Sequence, residues 1–503
     1  MPEVCLFTKG EKMNKSTSVR CVLMLLSIMV WISCGNASEI AQLDEKNVNL
    51  IFVVSPDLAY HTSGDIDKNT ANLTPQGLNR SLQMATYLKK NLLRSKNATS
   101  IYTLAPMTHL QTSHDYPDMT SIGYIQQFAL LNQTTLPISE TSFYTANTLP
   151  IKVSYPEGSV PQNVSVPSSF CTNCSGLDFK NTNGSNDALV SHLIQQNQSG
   201  FYIFSAPWET IHAMMQALNV RYGHKLGLPL EYQGSNYLYA ISISPKDEAQ
   251  LMVYDSQLKP SKDYPKLPKK VVKAFCNHTL QPYFNAKRTG GVSDVVVPSN
   301  ANQNQTVYIV RHAEAHPDKA FKFEDGNYVA AGQWRALELY RALKGKMNPD
   351  MVYSIDPAQW YHATGAFNFS YVRPSLTVWP FAIANNLPYF LVSEFQLMTK
   401  ATDVPTAQKT SDFFFTGGKF SNKTILLAWE SGHIRPLLKY LLDSYGGTNV
   451  TELDIDLPNT GWPGNDYDTI WRVKLDHQGN LIVDNVLCEG IESNRLPSTA
   501  PIF

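Results

Sequence analysis

The sequence predicts an α/β protein built as two domains, each a mainly parallel sheet with helices on both faces. Short apolar runs rich in β-branched and aromatic residues, such as Leu50-Ile51-Phe52-Val53-Val54 and Val307-Tyr308-Ile309-Val310, alternate with longer stretches of helical pattern. That alternation is the mark of parallel strands joined by crossover helices. The order of elements in the second half is repeated in the first. A chain of 503 residues with 43% hydrophobic content is also long enough for two or three separate cores.

In the second half, the run Val307–Val310 delivers Arg311-His312-Ala313-Glu314-Ala315-His316-Pro317 where a buried strand ends and its loop begins. Binding groups in open α/β sheets gather beyond the carboxyl ends of such strands. Arg311 presents a planar fork of donors matched to phosphate oxygens, and the neutral imidazole of His312 is a nucleophile for phosphorus near neutral pH. The pair points to phosphoryl transfer.

At these residues the chain resembles the histidine phosphatase superfamily, the phosphoglycerate mutase-like fold, in which an Arg-His pair follows the first strand. Further segments match in order: Ala331-Gly332-Gln333-Trp334-Arg335 for the first helix, Val352-Tyr353-Ser354-Ile355-Asp356-Pro357 for the next strand and its loop, then Tyr371-Val372-Arg373-Pro374, Val392-Ser393-Glu394, and Ile425-Leu426-Leu427-Ala428-Trp429-Glu430-Ser431-Gly432-His433. The resemblance covers most of the second half and implies three-layer α/β/α domains. It makes Arg311 and Arg373 the phosphate-binding arginines and His312 the nucleophile that becomes phosphohistidine. Pro374 suits the first turn of a helix, which would place Arg373 at a helix N-terminus whose free amides also favour an anion.

The second family histidine is where the pattern departs. Members with this style of core read Trp-Glu-His after the late strand, whereas this chain reads Trp429-Glu430-Ser431-Gly432-His433. Either His433 reaches the phosphate from the first helical turn, or Ser431 has replaced the histidine and weakened the pocket. A general acid is also required for the leaving alkoxide. Glu394 stands at the position resembling the family's acid, with Glu430 and Glu314 as alternatives and Glu314 better suited to orienting the first loop. No cofactor is implied. Alternate residues of His312-Ala313-Glu314-Ala315-His316 have the spacing of metal ligands, but the preceding arginine would repel a cation, and no metal is assigned.

The first half repeats this plan without its catalytic groups. Leu50–Pro56 lies over Thr306–His312, putting Ser55 opposite Arg311 and Pro56 opposite His312. Gly77-Leu78-Asn79-Arg80 matches Gly332-Gln333-Trp334-Arg335, Ser139-Glu140 parallels Ser393-Glu394, Tyr116-Pro117-Asp118-Met119 falls opposite Arg373, and Thr210 falls opposite His433. This is duplication at domain scale. The expected organisation is a targeting segment over 1–37, a degenerate and inert domain over 38–290, and a domain with the Arg-His motif over 291–503. The boundary is set near Thr289-Gly290-Gly291, followed by a polar stretch, Ser299–Gln305, of linker composition. An insertion of about 144–186, rich in Pro, Ser, Asn and Gly, is expected to form a surface loop.

Lys15 and Arg20 precede an apolar stretch from Val22 to Ser33, and Gly35-Asn36-Ala37 offers a cleavage point, so the start reads as a secretory signal, with lipid attachment at Cys34 the weaker alternative. The stretch is short of the ~20 residues a membrane span needs. The cysteines beyond it, Cys171, Cys174, Cys276 and Cys488, favour two disulfides in any of three pairings. Acceptor sequons at Asn72, Asn97, Asn132, Asn163, Asn183, Asn277, Asn304, Asn368, Asn422 and Asn449 fit an exported glycoprotein. A net charge of −1, with no Lys/Arg block, argues against a nucleic-acid partner. The expected partner is a small phosphorylated substrate of unspecified identity, and oligomeric state is left open. The reading is a secreted phosphomonoesterase. From another class, the chain is a binding protein in which both copies have decayed.

Overall fold

The structure, a computed structural model, describes residues 41–132, 134–137, 143–146, 149–161, 164, 174–271, 282–286, 296–315, 325–362, 368–392, 404–446 and 466–503. It is an α/β architecture with two large mixed sheets. From Ala41 to Phe503 the chain is one compact unit.

The N-terminal lobe is built on strands β1 (Val48–Val54), β2 (Ser100–Thr103), β3 (Ile151–Lys152), β4 (Gly200–Ala206), β5 (Tyr237–Ile243) and β6 (Ala249–Asp255), with helices α1 (Pro75–Tyr87), α2 (Thr120–Leu131), α3 (Ser185–Gln196) and α4 (Trp208–Arg221). Its strand order is β6-β5-β1-β4-β2-β3. Every residue of β1 is buried, as a parallel strand covered on both faces must be. Phe52, Phe204, Tyr239 and Met215 sit in its core cluster. Thr74 opens α1, its hydroxyl accepting the Gly77 N–H with Pro75 in the first turn.

The C-terminal lobe is built on β7 (Pro282–Ala286), β8 (Gln305–Arg311), β9 (Met351–Ile355), β10 (Tyr389–Val392), β11 (Thr424–Trp429), β12 (Thr469–Leu475) and β13 (Leu481–Cys488), with α5 (Ala330–Leu343), α6 (Arg373–Asn385), α7 (Val404–Phe415) and α8 (Ser431–Ser444). Its order is β7-β13-β12-β8-β11-β9-β10. Apart from β7, the two sheets have the same order strand for strand, with β1, β4, β2 and β3 corresponding to β8, β11, β9 and β10. In each, four adjacent strands running to one edge of the sheet are parallel and an antiparallel hairpin flanks the first of them.

The expected α/β sheets are mixed because of those hairpins, β5–β6 and β12–β13. In the second sheet the antiparallel pairings β7–β13, β13–β12 and β12–β8 equal the parallel ones in number. Turns as short as Asp476–Asn480, where Gly479 takes a φ of +80°, can only join antiparallel strands.

Three expectations change. The alignment that set Ser55 opposite Arg311 is off by one residue. Val54 pairs with Ala206 as Arg311 pairs with Trp429, so Val54 stands at the Arg311 position and Ser55 at the His312 position. A slip of one residue exchanges the faces of a strand. The insertion over 144–186 is no simple surface loop: its residues Ile151–Lys152 form β3, and Ser154 and Tyr155 are buried against the other lobe. The stretch 299–305 is not a free linker, since Asn302 is fully buried and its side chain donates to the Phe414 carbonyl at 2.9 Å. The boundary at 289–291 lies outside the described residues, and β7, which precedes it, pairs with the second sheet. Of the sequons, Asn72 and Asn132 are buried with both side-chain ends bonded, whereas Asn97, Asn183, Asn304 and Asn422 are exposed. Among the described residues no helix is long and apolar enough to cross a membrane.

Candidate functional site

Strand β8 carries Arg311 to the carboxyl end of the C-terminal sheet, and the next residue, His312, continues the parallel pairing by donating its N–H to the Trp429 carbonyl at 2.8 Å. The Nδ1 of His312 lies 2.7 Å from the Ala313 carbonyl. A carbonyl only accepts, so the proton is on Nδ1 and the lone pair is on Nε2. Two tyrosines flank the imidazole, with ring centroids 6.1 Å away at Tyr371 and 6.0 Å away at Tyr467. Each tyrosine carries an arginine on its face: Arg373 lies 4.7 Å from the Tyr371 ring and Arg311 lies 4.2 Å from the Tyr467 ring. The Nη1 of Arg311 also donates to the Asp466 carbonyl at 3.0 Å.

All of these groups are buried, His312 to 4%, Arg311 to 8% and Arg373 to 3% exposure. Burial, then Arg373, then Arg311 push the His312 pKa well below the ordinary histidine value, so the ring is neutral at physiological pH. Two guanidiniums beside a neutral imidazole make a positively charged site with an uncharged nitrogen lone pair in it.

Arg373 is the first residue of α6, with Pro374 in the first turn, as the sequence implied. Its N–H donates to the Gly326 carbonyl at 2.9 Å. One turn later Thr377 ties the helix to the His312 loop, accepting the Ala313 N–H at 2.8 Å and donating to the Arg373 carbonyl at 2.7 Å. His433 lies in the first turn of α8, buried to 8% exposure and stacked on Trp429 at 5.8 Å with the rings 8° apart. Its Nδ1 is in close contact with the Glu430 carboxylate, which also caps the helix by accepting the Gly432 N–H at 2.8 Å. Burial pushes the Glu430 carboxyl up, but His433, the Gly432 N–H and Arg311 outweigh it and hold the group below its ordinary value.

Glu314 does orient the loop. It pairs with the fully buried Arg335 at 2.7 Å and accepts from Ser493 at 2.7 Å, and its backbone carbonyl accepts the Val329 N–H. Burial raises its pKa, yet Arg335 and Ser493 bring it below the ordinary value, so it holds no proton to give. Arg335 reaches on to Glu489 at 2.5 Å. Glu394 and His316 lie outside the described residues, and among the described residues no group of His, Cys, Asp or Glu could hold a metal ion. Sequence reasoning missed Tyr467 and Thr377. Tyr467 leads into a hairpin it did not recognise, while Thr377 stands four residues after Arg373, a spacing that puts both on one helix face.

At the corresponding end of the N-terminal sheet the charges are reversed. Ser55 occupies the His312 position and shares a 2.7 Å hydrogen bond with Ser121, Thr120 begins α2 as Arg373 begins α6, and Thr210 lies in the first turn of α4 as His433 does in α8. Around them stand Asp57, Asp118 and Glu209, with His109 3.0 Å from Asp57. Burial, reinforced by Asp57 and opposed by His109 and Thr120, pushes Asp118 up to about 6. This cluster offers an incoming phosphate little attraction.

No known family model matches the chain. No curated protein matches it. Among solved structures it is similar to a phosphoserine phosphatase from Entamoeba histolytica in complex with 3-phosphoglyceric acid, at 14% identity over 36% of this chain and 94% of that one, with a TM-score of 0.23. It is similar to a mycobacterial glucosyl-3-phosphoglycerate phosphatase at 12% identity over 37% of this chain and 99% of that one, TM-score 0.24. A third likeness is to a mycobacterial protein named hydrolase 2, at 11% identity over 38% of this chain and 93% of that one, TM-score 0.22.

Proposed function

We propose that this chain is an exported phosphomonoesterase of the histidine phosphatase superfamily, acting through a phosphohistidine on His312. The observation that carries the reading is the neutral His312, its Nδ1 proton engaged by the Ala313 carbonyl, set between two buried arginines. Arg311 and Arg373 bind the phosphate oxygens and stabilise the charge that builds on them in the transition state. The Nε2 lone pair forms the N–P bond as the ester P–O bond breaks, and the leaving alkoxide takes a proton from the Glu394 carboxyl. Water then attacks phosphorus and gives a proton to the Glu394 carboxylate, the N–P bond breaks, and inorganic phosphate leaves with the acid restored. His433, oriented by Glu430, is assigned to the phosphate side. Glu394 is assigned the general acid role, a choice supported by the depressed pKa values of Glu314 and Glu430, which leave neither with a proton to donate.

In this reading the two lobes arose by duplication, which the shared strand order supports, and the N-terminal one is inert. Export through a signal at 1–37 is supported by Cys174 and Cys488, which are buried and disulfide-bonded, and by the four exposed sequons. No cofactor or metal is assigned.

The test is trapping of the phosphoenzyme from a phosphorus-radiolabelled chromogenic phosphate ester by an alkaline denaturing quench, in which an N–P bond survives, with His312→Ala as control. Label on His312 and loss of turnover in the variant are expected. Turnover that survives the substitution, or that proceeds with no phosphohistidine, would refute the mechanism, and a chain that binds phosphate without turnover would return the reading to a decayed binding protein.

A further inference from the structure

We infer that the N-terminal lobe is a positioning element for the C-terminal phosphate cradle, and that Ser370 is the positioning residue through which it holds Arg373; this rests on the reading of Arg373 as a phosphate ligand. Ser370 closes the short ribbon Trp360–His362 and Asn368–Ser370, three residues before Arg373. It is 1% exposed, and its hydroxyl is held almost entirely by the other lobe. The N–H groups of Val153 and Ser154 both lie 3.1 Å from its Oγ, Ser154 Oγ lies 2.9 Å away, and the Cys174 carbonyl accepts at 3.2 Å. A hydroxyl has one hydrogen and two lone pairs, so its bonding capacity is filled.

From Ser370 the fixation passes down the chain to the arginine. The Tyr371 N–H donates to the Gln359 carbonyl at 3.0 Å, and Tyr371 is the ring on which Arg373 lies. Gly326 is packed so tightly over Ser370 that a Cβ on it would stand 1.8 Å from the Ser370 carbonyl oxygen, and the carbonyl of the same Gly326 accepts the Arg373 N–H. Next to Ser154, Tyr155 donates to the carboxylate of the fully buried Asp356, whose other oxygen accepts the Ala358 N–H at 2.9 Å and so shapes the loop that carries Gln359.

The helix is gripped along its length as well. Trp379, two turns into α6, sits where a Cβ on Gly123 of α2 would come within 2.0 Å of its ring, and its Nε1 donates to Asn72 at 3.2 Å. Asn72 in turn donates to the Leu387 carbonyl at 3.1 Å, just beyond the end of the helix. Acidic groups crowd the sheet end of the N-terminal lobe, yet the lobe fixes the segment whose contribution to the site is Arg373. Displacement of a charged group by about 1 Å is enough to cost on the order of 10²-fold in a preorganised site.

The test is a double-mutant cycle on the full chain. Inorganic phosphate binding is measured by calorimetry for the wild type, Ser370→Ala, Ser154→Ala, Arg373→Ala and the Ser370→Ala/Arg373→Ala pair, well below each variant's unfolding temperature. Ser370→Ala should weaken phosphate binding about tenfold or more, Ser154→Ala should do so by a smaller factor while disturbing the fold less, and Ser370→Ala should add nothing once Arg373 is gone. Additive losses, or Ser370→Ala and Ser154→Ala variants that bind phosphate as the wild type does, would overturn the positioning role while leaving the proposed function standing. A wild-type chain with no affinity for phosphate would overturn both.

Discussion

The hydroxyl of Thr377 accepts the backbone N–H of Ala313 at 2.8 Å, joining the helix that begins with Arg373 to the loop that begins with His312. Both partners are fully buried. Replacing Thr377 with the isosteric valine leaves the Ala313 N–H without its acceptor, a loss of about 1–3 kcal/mol. Thr377→Ser should retain most of the stability, and urea unfolding of the two variants side by side checks the difference.

The depressed pKa of His312 sets an expectation for the pH profile. The proposed attack by His312 needs the neutral ring, and burial with Arg373 and Arg311 keeps it neutral below the ordinary histidine pKa of 6.5. Single-turnover phosphorylation should therefore keep its rate as pH falls through 6.5, with the acid limb displaced to lower pH. Arg373→Met removes one of the two repelling charges, so any residual acid limb should move upward toward the ordinary value.

Arg335 is fully buried between Glu314 at 2.7 Å and Glu489 at 2.5 Å. Arg335→Met strands the buried Glu314 carboxylate and leaves the buried Glu489 without its donor, and should cost about 3–5 kcal/mol at neutral pH. Burial is the largest influence on Glu489 and holds it at about 8 even beside the arginine, so it is already protonated at neutral pH, and the group that takes up a proton in the variant as the solution is acidified is Glu314, released from Arg335. The deficit of the variant should therefore shrink between neutral pH and about pH 4, which denaturant unfolding at several pH values will register.

Asp118 and Asp356 give the opposite sign from the usual carboxylate. Burial pushes each up to about 6, against an ordinary value of 3.8. A raised carboxyl pKa means that the folded state binds the proton more tightly than the unfolded chain. Its contribution is fully present below 3.8 and is lost as pH rises through about 6, so these two groups favour the fold in mild acid. Asp118→Asn should flatten that dependence between pH 4 and 6 relative to the wild type, as read by unfolding temperature. An unchanged slope would exclude Asp118 as a source.

Much of the cradle was legible because its signals are local. Arg311 and His312 follow an apolar strand directly, Arg373 precedes a proline that marks a helix start, and His433 lies three residues after a glutamate that caps its helix. The repeated order of elements in the first half was legible for the same reason, though the alignment slipped by one residue. A run such as Leu50–Val54 is buried on both faces and has no alternation to fix which residue faces which way. Only pairing with the neighbouring strand settles that Ser55, not Pro56, stands where His312 does.

What the chain determines by itself is where strands end and which residues stand there, because strand and helix propensity, caps and proline act over a few neighbouring positions. The neutral state of His312, the tyrosine beneath each arginine, the Glu314–Arg335 pair and the grip of Ser154 on Ser370 were decided by the tertiary structure alone. Each depends on burial or on partners far apart in sequence, and neither desolvation nor a hydrogen bond across such a separation has any signature until the chain has folded.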